Sequence, residues 1–138
     1  MSTANIEGMS LRLKISALWI AMLFLFAYGD IFGFLKPGRI EEVTAGEVSG
    51  VKITEVFLFG VSVYIAIASV MIFLSLVLRP RVNRWTNIVL AVLYIVSIVV
   101  SVIGESPYYV FLSVVESALL LLIIWYAWTW PRQERHRY

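Results

Sequence analysis

The chain has 138 residues, of which 61% are hydrophobic and only 14% charged, whereas a soluble domain carries about a quarter charged residues. A net charge of +2 is too small to argue for a nucleic-acid partner, and the absence of cysteine excludes disulfides, thiolate metal sites and thiol redox chemistry. The one histidine, His136, sits in the tail, so no catalytic constellation, metal site or cofactor motif is recognisable.

Four apolar stretches are long enough to cross a bilayer, which takes about 17 to 25 helical residues. The first runs from Ile15 to Leu35. It is longer than a signal-peptide core of about 7 to 15 residues, and Tyr28-Gly29-Asp30 is a poor cleavage site, so it is expected to remain as a spanning helix. Gly29 and Gly33 stand in G-x-x-x-G spacing near its end, which permits a close helix crossing. A loop from Lys36 to Lys52 follows. It opens on a Pro37-Gly38 turn signal, and Arg39 to Ala45 reads as a short interfacial helix ended by Gly46. Its charges cancel, so it reads as a cap.

The second span runs from Ile53 to Leu78, and Arg79-Pro80-Arg81-Val82-Asn83-Arg84 is read as the turn leading to a third span, Trp85 to Ile103. Gly104-Glu105-Ser106-Pro107 then leads to the fourth, Tyr108 to Trp130, with Pro107 suited to a first helical turn. Such short connections admit only antiparallel neighbours. The expected fold is all-α: a polytopic four-helix transmembrane bundle, up-down-up-down, occupying residues 11–130 as one domain. Residues 1–10 and 131–138 are expected to be flexible cytoplasmic tails.

Orientation follows from the cations. Arg12, Lys14, Arg79, Arg81, Arg84, Arg132, Arg135 and Arg137 fall on one side of the spans, and Lys36, Arg39 and Lys52 on the other. The positive-inside rule makes the first side cytoplasmic, with both termini inside the cell membrane. Trp19, Trp85, Trp125, Trp128 and Trp130 lie in the inner halves of their helices, where indoles settle at the interface, and Tyr108 and Tyr109 mark the opposite boundary. Arg79, Arg81 and Arg84 fix this topology, and the same three could hold anionic lipid headgroups.

Polar and small residues form one stripe on each later helix: Glu55, Ser62, Ala66 and Ser69; Asn87, Ala91, Tyr94 and Ser101; Tyr109, Ser113 and Glu116. Such stripes serve either as packing seams or as the lining of a path. Glu116 stands out, because it lies near mid-membrane in the longest apolar run. An acid at a helix centre costs roughly 2.5 to 3.5 kcal/mol on insertion scales. Asp30 lies somewhat further out, and Glu55 and Glu105 near the outer helix ends, with no Lys or Arg in that half to pair with them. Desolvation and mutual repulsion favour the neutral carboxyl. Glu116, and Asp30 with it, is therefore expected to hold a proton for much of the time and to donate to Tyr94, Ser113 or a backbone carbonyl.

Three readings of these acids follow: a hydrogen-bonded staple for the bundle or an oligomer, an outward-facing pocket that binds a proton or cation and exchanges it against a substrate, or a catalytic carboxylate. A pocket would draw on Glu116, Asp30, Glu55, Tyr94, Tyr109 and Ser113. The expected partners are the bilayer and a second copy or a larger membrane protein, because four short helices enclose little space.

The Leu11-Arg12-Leu13-Lys14-Ile15-Ser16-Ala17-Leu18-Trp19-Ile20 opening, Tyr28-Gly29-Asp30-Ile31, Arg81-Val82-Asn83-Arg84-Trp85-Thr86-Asn87-Ile88 and the helix from Glu116 to Trp130 resemble a family of short four-helix bacterial membrane proteins catalogued as a domain of unknown function. The resemblance covers roughly Leu11 to Trp130. It implies a bacterial cytoplasmic-membrane setting and no activity; Asp30 and Glu116 match acidic positions of that family, without a role attached.

Overall fold

Long apolar runs free of interior proline make helices here, and punctuation by proline, glycine and threonine ends them. The computed structural model describes residues 3–130. Its long helices are α1 (Thr3–Phe34), α3 (Glu55–Val77), α4 (Pro80–Ser101) and α5 (Pro107–Trp128), with a short α2 (Arg39–Thr44) and two two-residue strands, β1 (Glu47–Val48) and β2 (Val51–Lys52), between α1 and α3. All four long helices are long and apolar enough to cross a membrane.

Several boundaries differ from the expectation, and each has a local cause. The segment from Thr3 to Ser10, read as a mobile leader, continues α1. It contains no proline, and once a helix is nucleated each added residue contributes one hydrogen bond. Helix α4 begins at Pro80, so Asn83 and Arg84 lie on the helix and not in a turn. Proline suits the first helical position, where an N–H would have no partner. The hydropathy of the run marks where apolar side chains begin, not where hydrogen bonding does. Pro107 opens α5 as expected, and α3 is capped by Thr54, whose Oγ1 accepts from the Phe57 N–H at 3.1 Å. Residues 131–138, including Arg132, Arg135, His136 and Arg137, lie outside the described residues.

The expected short helix in the loop is α2, and Gly46 follows it at φ +87°. The antiparallel hairpin was not anticipated. Its turn is Ser49-Gly50, at φ +50° and +80°, the paired positive angles of a type I′ connection. Arg39 ties the loop together by reaching Ser49 Oγ at 3.1 Å and Glu42 at 3.2 Å.

Helix α1 packs along both α3 and α5, and α4 packs along α5, while α3 and α4 have little close backbone contact. Long side chains bridge that gap instead. Tyr64 of α3 meets Tyr94 of α4 with ring centroids 4.5 Å apart, and Trp19 of α1 meets the same Tyr94 edge-on at 5.6 Å. The buried core runs through Ile15, Trp19, Met22, Ala68, Met71, Ala91, Leu120, Ile123 and Ala127. Outward faces carry Phe24, Phe59, Phe73, Leu93 and Phe111 in the open, which suits a lipid surround and not water.

The stripe assigned to α3 is corrected. Glu55, Ser62, Ala66 and Ser69 face outward, and the buried side is Ala68, Met71 and Ser75. Ser62 and Ser69 donate to their own helix, at Leu58 O and Ile65 O, both at 2.8 Å. A hydroxyl satisfied at i−4 needs no neighbouring helix, so polarity alone did not mark the inner face. Trp19 and Trp130 are a second correction: both are buried and neither is an interfacial anchor. Trp85, Trp125 and Trp128 are exposed, as interfacial residues would be.

Candidate functional site

One cleft of about 290 Å³ opens among the four long helices. Helix α1 contributes Phe26, Gly29 and Asp30, α3 Val61, Tyr64 and Ile65, α4 Ser97, Ile98 and Ser101, and α5 Tyr109, Leu112 and Glu116. Spacings of three, four and seven residues place each set on one helix face. Two carboxylates therefore border the same space, and among the described residues no Lys, Arg or His does.

Glu116 is only 7% exposed. Among the described residues no hydrogen bond engages its carboxyl, and the expected donation to Tyr94 or Ser113 does not occur. Tyr94 Oη donates instead to the Tyr64 carbonyl. Ser113 is buried on α5 a turn away from Glu116 and does not line the cleft. The hydroxyls along the wall are committed to each other. Tyr64 Oη and Ser97 Oγ are 2.7 Å apart, Ser97 Oγ donates to Tyr94 O at 2.7 Å, Tyr109 Oη donates to Ser101 Oγ at 3.2 Å, and Ser101 Oγ donates to Ile98 O at 2.9 Å. The wall is thus held in place while the carboxyl is not.

Of the sequence-predicted site residues, Glu116, Asp30, Tyr109 and Gly29 come together at the cleft, and Tyr94 stands one layer behind it. Glu55 is exposed at the start of α3 and takes no part. Phe26, Tyr64 and Ser97 were missed. Tyr64 could have been found, because Tyr64, Ala68, Met71 and Ser75 repeat at four and three residues along the face that proves buried. Both glycines face α5: a Cβ on Gly29 would meet Leu112 Cδ1 and one on Gly33 would meet Tyr108 Oη, each at 3.6 Å. That is ordinary contact, so neither crossing demands glycine.

At the opposite end of the bundle a second polar cluster forms. Asn87 Oδ1 accepts from Trp19 Nε1 at 2.7 Å and from Ser75 Oγ at 3.3 Å, and Asn87 Nδ2 donates to Asn83 O at 2.9 Å and Asn83 Oδ1 at 2.6 Å. Asn83 Nδ2 donates to Ser75 O at 2.7 Å. Beside it, Arg12 donates to Leu78 O at 2.7 Å, at the C-terminus of α3, and lies over the Trp130 ring at 5.2 Å. A cation there complements the helix dipole. Arg84 lies over Trp85 at 5.4 Å and Trp128 at 4.9 Å, and its Nε is buried without a partner among the described residues. Arg79 and Arg81 are exposed.

The helices and their composition fit one class, a small integral membrane protein built as a helical bundle. Within it, the chain belongs to DUF6326, a family of unknown function, whose profile matches residues 6–136. Comparison with curated proteins and with solved structures gave no significant match.

Proposed function

We propose that the protein is a four-span membrane protein of the bacterial cell membrane, N-in and C-in with its helices running up-down-up-down, whose outward-facing acidic cleft binds a proton or cation and exchanges it against a substrate. One observation carries this reading: Glu116 is 7% exposed, lines a cleft together with Asp30, and has no hydrogen-bond partner among the described residues. An acid kept inside a spanning helix faces a cavity or a partner as a rule. A staple would be bonded across helices, and this carboxyl is not. The orientation rests on the distribution of Lys and Arg, with Arg79, Arg81 and Arg84 at the inner boundary where anionic headgroups lie.

The test is thermal unfolding of the purified protein across a pH series and in Na⁺ or K⁺, since a ligand that binds only the folded state raises its stability. Glu116→Gln is expected to fold normally and to lose the pH- or cation-dependent part of the wild-type response. An unchanged response in Glu116→Gln would rule the reading out.

A second reading, an accessory subunit or homo-oligomer, is favoured by α3. Its outward face carries Ser62, Ala66 and Ser69 at helical spacing, and small residues let helices approach closely in lipid. The chain contains no cysteine, so Ser62→Cys and Ser69→Cys give clean probes. Intermolecular disulfide formation in the bilayer is the expected result for this reading, and monomeric protein under oxidation would remove it.

A further inference from the structure

We infer that the cleft takes an organic ammonium ion, a cation with an apolar body, in preference to a bare metal ion. This rests on the reading of Glu116 and Asp30 as the cation-binding acids and names the substrate class. Glu116 supplies the anchor, since it is buried, bordered by a second acid and without a hydrogen-bond partner among the described residues. Among the described residues, no cationic side chain lines the cleft to neutralise it from within.

The rest of the lining decides what kind of cation fits. Hard metal ions replace their water with several converging oxygens, six to eight for calcium and near-octahedral sets for magnesium. Among the described residues no group of three or more acidic, His or Cys side chains converges. The hydroxyls of Tyr64, Ser97 and Tyr109 already bond within the wall. A proton alone needs no cavity. A space of about 290 Å³ lies at the small end of ligand pockets, which run from about 300 to 1,000 Å³.

Aromatic surface completes the argument. Phe26 and Tyr64 stand at the cleft with ring centroids 5.8 Å apart and planes tilted by 36°. Tyr94 backs both, 6.3 Å from Phe26 and 4.5 Å from Tyr64. Ring faces attract ammonium groups, alkylated ones included, and more strongly when water is excluded. One charged pole of carboxylate and one aromatic wall are the complement of a small amine with a hydrocarbon body.

The full-length protein in lipid nanodiscs tests this with benzyltrimethylammonium as the probe and its uncharged carbon isostere, neopentylbenzene, as the control. Saturable binding of the cation and not of the isostere is expected, weakened at least about tenfold in Glu116→Gln. Phe26→Leu should weaken it about three- to thirty-fold, and Phe26→Tyr should restore it. Equal binding of the isostere, or no effect of Phe26→Leu, would overturn the assignment. A Glu116-dependent response to protons, Na⁺ or K⁺ without ammonium binding would overturn it too and leave the broader cation reading standing; no Glu116-dependent response of any kind would end both.

Discussion

Trp19, Ser75, Asn83 and Asn87 at one end of the bundle, and Asp30 and Glu116 toward the other, are polar groups set into equally apolar helices, yet they are treated in opposite ways. The first four are fully buried, and their side chains are linked by bonds of 2.6 to 3.3 Å. Glu116, nearly as buried, is bonded to nothing among the described residues and borders open space. Polar groups in lipid are expensive unless paired. Where they are paired within the fold, they hold helices together; where the fold leaves them unpaired beside a cavity, the partner must come from outside. Tyr94, between the two regions, sharpens the contrast, because its hydroxyl bonds a backbone carbonyl and not the acid.

If the Asn cluster is structural, breaking it should give the largest loss of stability. Asn87→Ala removes the acceptor of Trp19 and Ser75 and the donor to Asn83. Interhelical hydrogen bonds in membranes are worth about 0.6 kcal/mol on average, and a cavity with unpaired donors adds to that. A loss of about 2–4 kcal/mol is expected, measured by denaturant unfolding of the reconstituted protein. A loss under about 0.5 kcal/mol would show the cluster to be incidental.

Trp19→Phe asks for less. It deletes the indole N–H that bonds Asn87 at 2.7 Å and trims ring volume, while Ser75 remains bonded to the same oxygen. About 1–2 kcal/mol should be lost. Wild-type stability would make Trp19 a plain apolar filler.

The four long apolar runs and Pro107 as the start of α5 could be read from the chain, because each depends on a long run or on a rare residue at its edge, whereas Pro80 reads as part of a turn. The inner face of α3 was legible only by spacing. Serines at 62 and 69 satisfy themselves on their own helix, so the polar stripe pointed outward, while the inner face is built of Tyr64, Ala68, Met71 and Ser75, which advertise themselves by volume and spacing and not by polarity. Asn87 was recognised as part of a seam. Its partners come from two other helices, Trp19 from α1 and Ser75 from the preceding α3, and only packing reveals them. The Ser49-Gly50 hairpin lacked a strong signal, since two residues per strand leave no alternation to read.

Gly29→Ala probes the border between the regions, on the helix that supplies both. The added methyl meets Leu112 Cδ1 at 3.6 Å, an ordinary contact, and alanine is the better helix former by up to about 1 kcal/mol. Stability should be unchanged or slightly raised in the same unfolding assay. A loss above about 1 kcal/mol would mean that α1 and α5 approach more closely than their contacts here allow.

Glu116→Gln should have the smallest effect on folding, and it separates the two regions most sharply. No hydrogen bond to the rest of the bundle is lost, because among the described residues none is made, and the amide is close to the carboxyl in size and shape. Unfolding free energy without added ligand should stay within about 0.5 kcal/mol of the wild type, as for substitutions outside any bonded network. Asn87→Asp, an equally conservative exchange at the other end, replaces a side-chain donor that serves Asn83 at 2.6 Å with an acceptor facing an acceptor, and should be clearly destabilising. If both exchanges cost the same, the distinction between a satisfied cluster and a waiting carboxyl would fail; if only Asn87→Asp unfolds more easily, the unbonded acid is free of structural duty and available to a ligand.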